Sequence, residues 1–186
     1  MAAPRPGERF MDLAAGTGAF SKALRETEPE VRIIAGDFCI PILMRMPAAL
    51  GRRIGADALN LPVRTGVLDG WVIAFGVRNF SDPSRGLREM NRVLKPGGRG
   101  LILEFLRPED SVFGWMYRQY LSRWVPLLGG ILTGSFSAYR HLTTSIQGFL
   151  TRPAFRNLLE TTGYRIESIR ELTFGAATAI LVRKNT

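Results

Sequence analysis

The chain has 186 residues, 46% hydrophobic and 22% charged, which suits one folded domain with a sizeable core. A single cysteine, Cys39, excludes an internal disulfide and fits a reducing, cytoplasmic setting; with only one histidine as well, no zinc cluster can form. The net charge of +9 is uneven: residues 1–110 hold sixteen basic and thirteen acidic side chains, residues 111–186 nine and three. A basic half of this kind meets nucleic acid or anionic lipid, or is simply a solvated surface rich in arginine. The N-terminal run Met-Ala-Ala-Pro-Arg-Pro-Gly-Glu lacks the apolar core of a signal peptide. The longest apolar stretch, Trp124–Phe136, is too short and too rich in glycine to span a bilayer.

In chain order, apolar strands alternate with amphipathic helices, the pattern of a parallel α/β sheet. Strands are predicted at Arg9–Ala14, Val31–Ala35, Arg53–Ala56, Leu68–Phe75 and Gly100–Phe105. Helices are predicted at Phe20–Thr27, at Pro41–Leu50 with Pro41 in the first turn, and at Pro83–Leu94, where Lys95-Pro96-Gly97-Gly98 is a strong terminator. The pattern then changes to an aromatic helix over Ser111–Trp124 and a glycine-rich apolar loop. A helix at Pro153–Thr162 and an antiparallel pair, Tyr164–Glu171 with Ala176–Arg183, close the chain.

The most informative stretch is Asp12-Leu13-Ala14-Ala15-Gly16-Thr17-Gly18, where the first strand enters a tight glycine turn and then a helix. Gly16 and Gly18 let the backbone approach a ligand, and Asp37, at the end of the second strand, can take a ribose diol. The third glycine of a pyrophosphate fingerprint is replaced by Ser21, so the motif points to S-adenosylmethionine, which has no phosphates, rather than to a dinucleotide. Asp57, beside Ala58 at the end of the third strand, can accept from an adenine amino group while the neighbouring N–H donates to the ring; taken alone it reads as a turn aspartate. Phe75-Gly76-Val77-Arg78-Asn79 follows the fourth strand and sets a cation and an amide at the same carboxyl edge, though in isolation this is equally a surface arginine and a turn asparagine. It lacks the Asn/Asp-Pro-Pro-aromatic stretch of an amino-methylating DNA enzyme.

Together these residues resemble the UbiE/MenG family of quinone-biosynthesis C-methyltransferases. The resemblance rests on Asp12–Gly18, Gly36-Asp37-Phe38, Ala56–Pro62, Ala74–Asn79, Leu87–Arg99, Leu103-Glu104-Phe105 and Tyr139–Ile146, and covers essentially the whole chain. It implies a Rossmann-like class I methyltransferase fold: one domain over 1–186, with a mainly parallel seven-stranded sheet, one antiparallel strand and helices on both faces. Cofactor contacts fall by resemblance on Asp12, Gly16, Thr17, Gly18, Asp37, Asp57, Ala58 and Ala74, the last standing where some members have serine. Family members carry several dozen residues of covering helix before the first strand, and this chain as written starts almost at that strand.

The implied reaction is transfer of a methyl group from a sulfonium to a ring carbon of a prenylated quinol, with demethylmenaquinol favoured over a benzoquinol and no metal required. It needs in-line positioning and an electron-rich ring. A phenol of pKa about 10 lies roughly 4 kcal/mol from its anion at neutral pH. Arg78 is too basic to take the proton but can stabilise a phenolate or orient a water. Asn79 would orient the same oxygen, with Tyr139 and His141 as secondary candidates. The polyprenyl tail gives Ser111–Phe136, within an apolar insertion at 111–150, a role as tail groove and as a peripheral contact with the anionic inner face of the membrane. Nucleic acid is not expected as a partner. The rival readings are a methyltransferase for RNA or another small molecule, and a non-catalytic subunit that binds S-adenosylmethionine.

Overall fold

The computed structural model describes residues 3–108, 143–172 and 177–185. The predicted helix Ser111–Trp124, the expected groove Ser111–Phe136, and Tyr139 and His141 all lie outside the described residues. The chain forms two compact units, Met1–Glu104 with Leu158–Thr186, and Phe105–Asn157.

The first unit holds the sheet. Its strands are β1 (Arg9–Leu13), β2 (Arg32–Asp37), β3 (Arg52–Gly55), β4 (Leu68–Ala74), β5 (Leu94–Glu104), β6 (Tyr164–Leu172) and β7 (Ala177–Lys184). They lie in the order β3-β2-β1-β4-β5-β7-β6. β1 to β5 pair in parallel, and β7 runs antiparallel to both its neighbours. This is the seven-stranded sheet the sequence predicts, with its one antiparallel strand. The order reverses between β1 and β4, so their carboxyl ends diverge there and leave a crevice.

The two faces are packed differently. Phe10, Ile33 and Val72 share one face with Leu24 of α1 (Ala19–Thr27), and Leu101 and Leu181 extend the same cluster. On the other face Trp71 meets Tyr164 edge-on at 5.8 Å, and the Tyr164 hydroxyl donates to the Leu87 carbonyl in α3 (Pro83–Val93) at 3.0 Å. Glycines make room for the large rings: a Cβ at position 100 would stand 2.2 Å from the Trp71 ring.

Most boundaries shift by one or two residues, and three of the differences have a clear local reason. The helix predicted over Pro41–Leu50 is only α2 (Ile40–Leu43), followed by a separate 3-10 turn at Ala48–Leu50. Pro47 has no N–H to continue the helix and holds the residue before it away from helical geometry. β1 stops at Leu13 because Ala14 turns to φ 55°. β5 begins at Leu94, six residues before its predicted start, because Lys95-Pro96-Gly97-Gly98 is absorbed as an irregularity between the Leu68–Leu94 and Gly70–Arg99 pairs. The terminator does stop α3, which begins as predicted, with Asp82 accepting from the Arg85 N–H at 2.9 Å and Pro83 in the first turn.

In the second unit the Arg107 N–H donates to the Leu150 carbonyl at 3.0 Å, residues 143–147 are helical, and Phe149 meets Phe155 at 5.5 Å. The helix α4 (Arg152–Thr161) starts in this unit. Among the described residues no helix is long and apolar enough to cross a membrane.

The Trp71 packing yields a direct test. Gly100→Ala forces a methyl into the indole ring and should lower stability by about 1–3 kcal/mol, read as a shifted midpoint in denaturant unfolding. An unchanged midpoint would mean that Trp71 does not fill that space.

Candidate active site

A cavity of about 540 Å³ opens at the carboxyl ends of β1, β2 and β4, within the size range of ligand pockets. Asp37, Asp57, Ala58, Ala74 and Asn79 line it, bringing together five of the residues named from sequence. Asp12, Gly16, Thr17, Gly18 and Arg78 are not in its wall.

Asp37 ties two strand ends together. Its Oδ2 accepts the Gly16 N–H at 2.8 Å and its Oδ1 the Cys39 N–H at 2.7 Å. Each carboxylate oxygen retains a lone pair, so the group can still receive hydroxyls. Gly16 and Gly18 hold φ 53° and 87°, values that favour glycine, and a Cβ at Gly18 would also strike the Met46 side chain at 2.6 Å. The glycine turn therefore acts through backbone geometry and through Asp37. Asp57 Oδ1 accepts the Leu59 N–H at 2.8 Å in an Asx turn, and the Ala58 N–H has no acceptor among the described residues.

Asp12 is turned away from the cavity. It is buried, and its Oδ2 accepts both the backbone N–H of Ser21 at 2.8 Å and its hydroxyl at 2.7 Å. The carboxylate thus caps the first turn of α1, where Gly18 supplies no side chain.

Two side chains bordering the cavity sit on strained backbone. Ala14 and Phe75 have φ of 55° and 54° and directly follow β1 and β4. For a bulky residue such as Phe75 this costs about 1–3 kcal/mol and needs external restraint. The Phe75 N–H donates to the Leu103 carbonyl at 2.8 Å, while its carbonyl accepts from Arg78 Nη1 at 2.6 Å and from Asn79 Nδ2 at 3.3 Å. Arg78 is in turn fixed by Glu104, fully buried at the end of β5: Nη1 donates to Oε1 at 2.6 Å and the backbone N–H to Oε2 at 3.2 Å. Gly76 completes the turn, since a Cβ there would lie 2.8 Å from that of Ala14.

Glu104 is a functional residue that the motifs do not single out, although a carboxylate inside the apolar run Gly100–Phe105 signals a buried partner. Ala14, Phe75 and Phe80 also line the cavity, without a sequence signal that assigns them to its wall. Phe38, next to Asp37, lines it too and was readable from its position alone.

The cavity wall carries two carboxylates and no lysine or arginine among the described residues. A pyrophosphate would meet repulsion there, whereas a sulfonium and an ammonium would be attracted. With the open N–H of Ala58 and the remaining acceptor capacity of Asp37, the wall fits S-adenosylmethionine.

The model of the ubiE/COQ5 methyltransferase family matches residues 1–184. The chain belongs to that family. It is 40% identical over 183 residues to the demethylmenaquinone methyltransferase of Thermus thermophilus, an alignment covering 95% of this chain and 83% of that protein. It is 38% identical to the ubiquinone/menaquinone biosynthesis C-methyltransferase UbiE of Geobacter sulfurreducens, covering 92% and 70%. The fold matches an S-adenosylmethionine-dependent methyltransferase from Mesorhizobium loti with a TM-score of 0.68 at 16% identity, over 96% of this chain and 92% of that one. This methyltransferase therefore uses S-adenosylmethionine, and neither the RNA reading nor the non-catalytic one is favoured.

Two expected outcomes follow from the buried carboxylates. Burial pushes Asp12 up to about 6, against the two Ser21 hydrogen bonds that hold it down. Below the unfolded value of about 3.9 both states are protonated; above it the unfolded chain releases its proton first. Asp12 therefore contributes stability that is present at low pH and lost as pH rises through about 6. Relative to Asp12→Asn, whose amide oxygen can still accept from Ser21, the parent protein should lose about 3 kcal/mol between acid and neutral pH. Parallel stability curves for the two proteins would contradict this.

The Arg78–Glu104 pair should behave as a unit. Arg78→Ala and Glu104→Ala each remove one partner of this buried ion pair and should each lower stability by about 3 kcal/mol, with the double variant well short of the sum. A double-mutant cycle in denaturant measures the coupling, and simple additivity would argue against it.

Proposed function

We propose that this methyltransferase transfers a methyl group to a ring carbon of a prenylated quinol, converting demethylmenaquinol to menaquinol. The observation that carries the reading is the similarity of this chain, over nearly its full length, to relatives named as demethylmenaquinone methyltransferases, at 40% identity for those of Thermus thermophilus and Thermotoga maritima. The Geobacter sulfurreducens relative, whose name includes ubiquinone biosynthesis, keeps a benzoquinol as the second reading.

Bound S-adenosylmethionine supplies a methyl group already activated on a sulfonium. The chain's own residues bind and orient. Asp37 would hold the ribose hydroxyls, and Asp57 with the Ala58 N–H the adenine. Thr17 and the glycine turn, which stand outside the cavity wall, would bound the methionine portion, with Ala74 beside it. At the end of β4, Asn79 presents its amide at the cavity and would orient the quinol oxygen. Arg78, engaged with Phe75 and Glu104, would act by holding the strained loop in place. Tyr139 and His141 remain proposed as groups near the same oxygen. The prenyl tail lies in a bilayer, so the enzyme would work as a peripheral protein at the cytoplasmic face of the membrane, with Ser111–Phe136 as tail groove.

An assay with isotopically labelled S-adenosylmethionine and both demethylated quinols tests this. The naphthoquinol should gain one methyl group by mass, and faster than the benzoquinol. If protein that binds S-adenosylmethionine methylates neither quinol, the reading fails; preference for the benzoquinol would reverse its first choice.

A further inference from the structure

The segment between the two cavity aspartates carries an apolar face that methyl transfer does not use. Ile40, Ile42 and Met44 are 45%, 43% and 59% exposed, and Phe38, at the cavity wall, is 82% exposed. The inner side of the same segment is ordinary core: Leu43 and Met46 are buried against Ala15 and Ala35. α2 is one turn long, so the face is fixed by that inner packing rather than by helix length.

The face follows the rim of the cavity. Ile40 Cδ1 lies over Gly55 at the end of β3, where a Cβ would stand 2.8 Å away, and Ile42 Cγ2 lies over Gly16 in the glycine turn, at 3.8 Å from such a Cβ. β3 is an edge strand of the sheet, so nothing in the sheet continues past it. Residues 38–56 hold Arg45, Arg52 and Arg53 and no acidic residue. Arg45 and Arg52 are exposed. Arg53 Nη1 donates to the carbonyls of Met44 at 3.1 Å and Met46 at 3.0 Å, which holds a cation beneath the apolar face.

We infer that this face docks the enzyme on an anionic bilayer and turns the mouth of the cavity toward the lipid. The inference rests on the prenylated-quinol reading for its purpose, but not for its geometry. Exposed aliphatic side chains bordered by arginines, with no acid between Asp37 and Asp57 of the cavity wall, match a surface of acyl chains under anionic headgroups. A second copy fits less well, because two such faces would set the arginines of residues 38–56 against each other, with no acid in that segment to answer them. Docking here would let a quinol pass from lipid to the end of β4 while its tail stays in the membrane.

Vesicles of phosphatidylcholine, with and without phosphatidylglycerol, provide the test by co-sedimentation with the full chain. Binding should need phosphatidylglycerol and weaken with salt. Ile40→Ser/Met44→Ser and, separately, Arg45→Glu/Arg52→Glu should each weaken it by about tenfold or more. Phe38 is left intact because it lines the cavity. Both variants should keep their thermal midpoint and their calorimetric affinity for S-adenosylmethionine. Absence of binding, unchanged binding in both variants, or concentration-dependent dimerisation through this face without lipid would each overturn the inference. Methylation of a tail-free, water-soluble quinol separates the two readings. If it proceeds equally in parent and variants, the chemistry stands whatever the vesicles show; if it fails while vesicles bind, docking stands and the quinol reading does not.

Discussion

The carboxylate of Asp37 accepts one N–H from the glycine turn after β1 and another from the turn that follows it, and so fixes how β1 and β2 end beside each other. On the far side of β1, Glu104 holds Arg78, and Arg78 holds the carbonyl of Phe75, which fixes the end of β4. The crevice at the reversal of strand order thus has both walls pinned by carboxylates. The strain at Phe75 persists because these bonds hold its carbonyl in place. The two acids differ in what they leave over: Asp37 faces the cavity with acceptor capacity to spare, whereas Glu104 is buried and answers a cation.

This division suits the chemistry of a sulfonium donor. The cavity needs no phosphate cradle, and its wall has none: Gly16 and Gly18 shape the turn, while the charge within reach is negative. Asp12 is separate again. It closes the first turn of α1 from inside the fold, at a cost in stability that sets in as pH rises to about 6. Of the four carboxylates of this region, Asp37 and Asp57 line the cavity, Glu104 is an ion-pair partner and Asp12 is a helix cap.

Much of this was legible in the sequence. Strand alternation predicts the parallel sheet, and the glycine turn with acids at the next two strand ends predicts where Asp37 and Asp57 come together. Those signals are local, or they repeat at the spacing of a βαβ unit. Glu104 and Phe75 were less legible, because a buried ion pair 26 residues apart and a backbone turned to positive φ leave no periodic trace. Arg78 follows β4 as the sequence predicts, but it pairs with Glu104 instead of lining the cavity. The early end of α2 was readable from Pro47, which the hydrophobic spacing over Pro41–Leu50 concealed. The start of β5 was concealed by Lys95-Pro96-Gly97-Gly98, which stops a helix as expected and is then carried within a strand because Leu94 pairs with Leu68.

The central claim is that the end of β2 and the turn after β3 hold the nucleoside of the cofactor. A crystal structure of the chain with S-adenosylhomocysteine tests it most directly. The ribose hydroxyls should lie within hydrogen-bond distance of the Asp37 carboxylate, and the adenine against Asp57 and the Ala58 N–H. A nucleoside bound anywhere else on the sheet, or ribose hydroxyls directed away from Asp37, would contradict it.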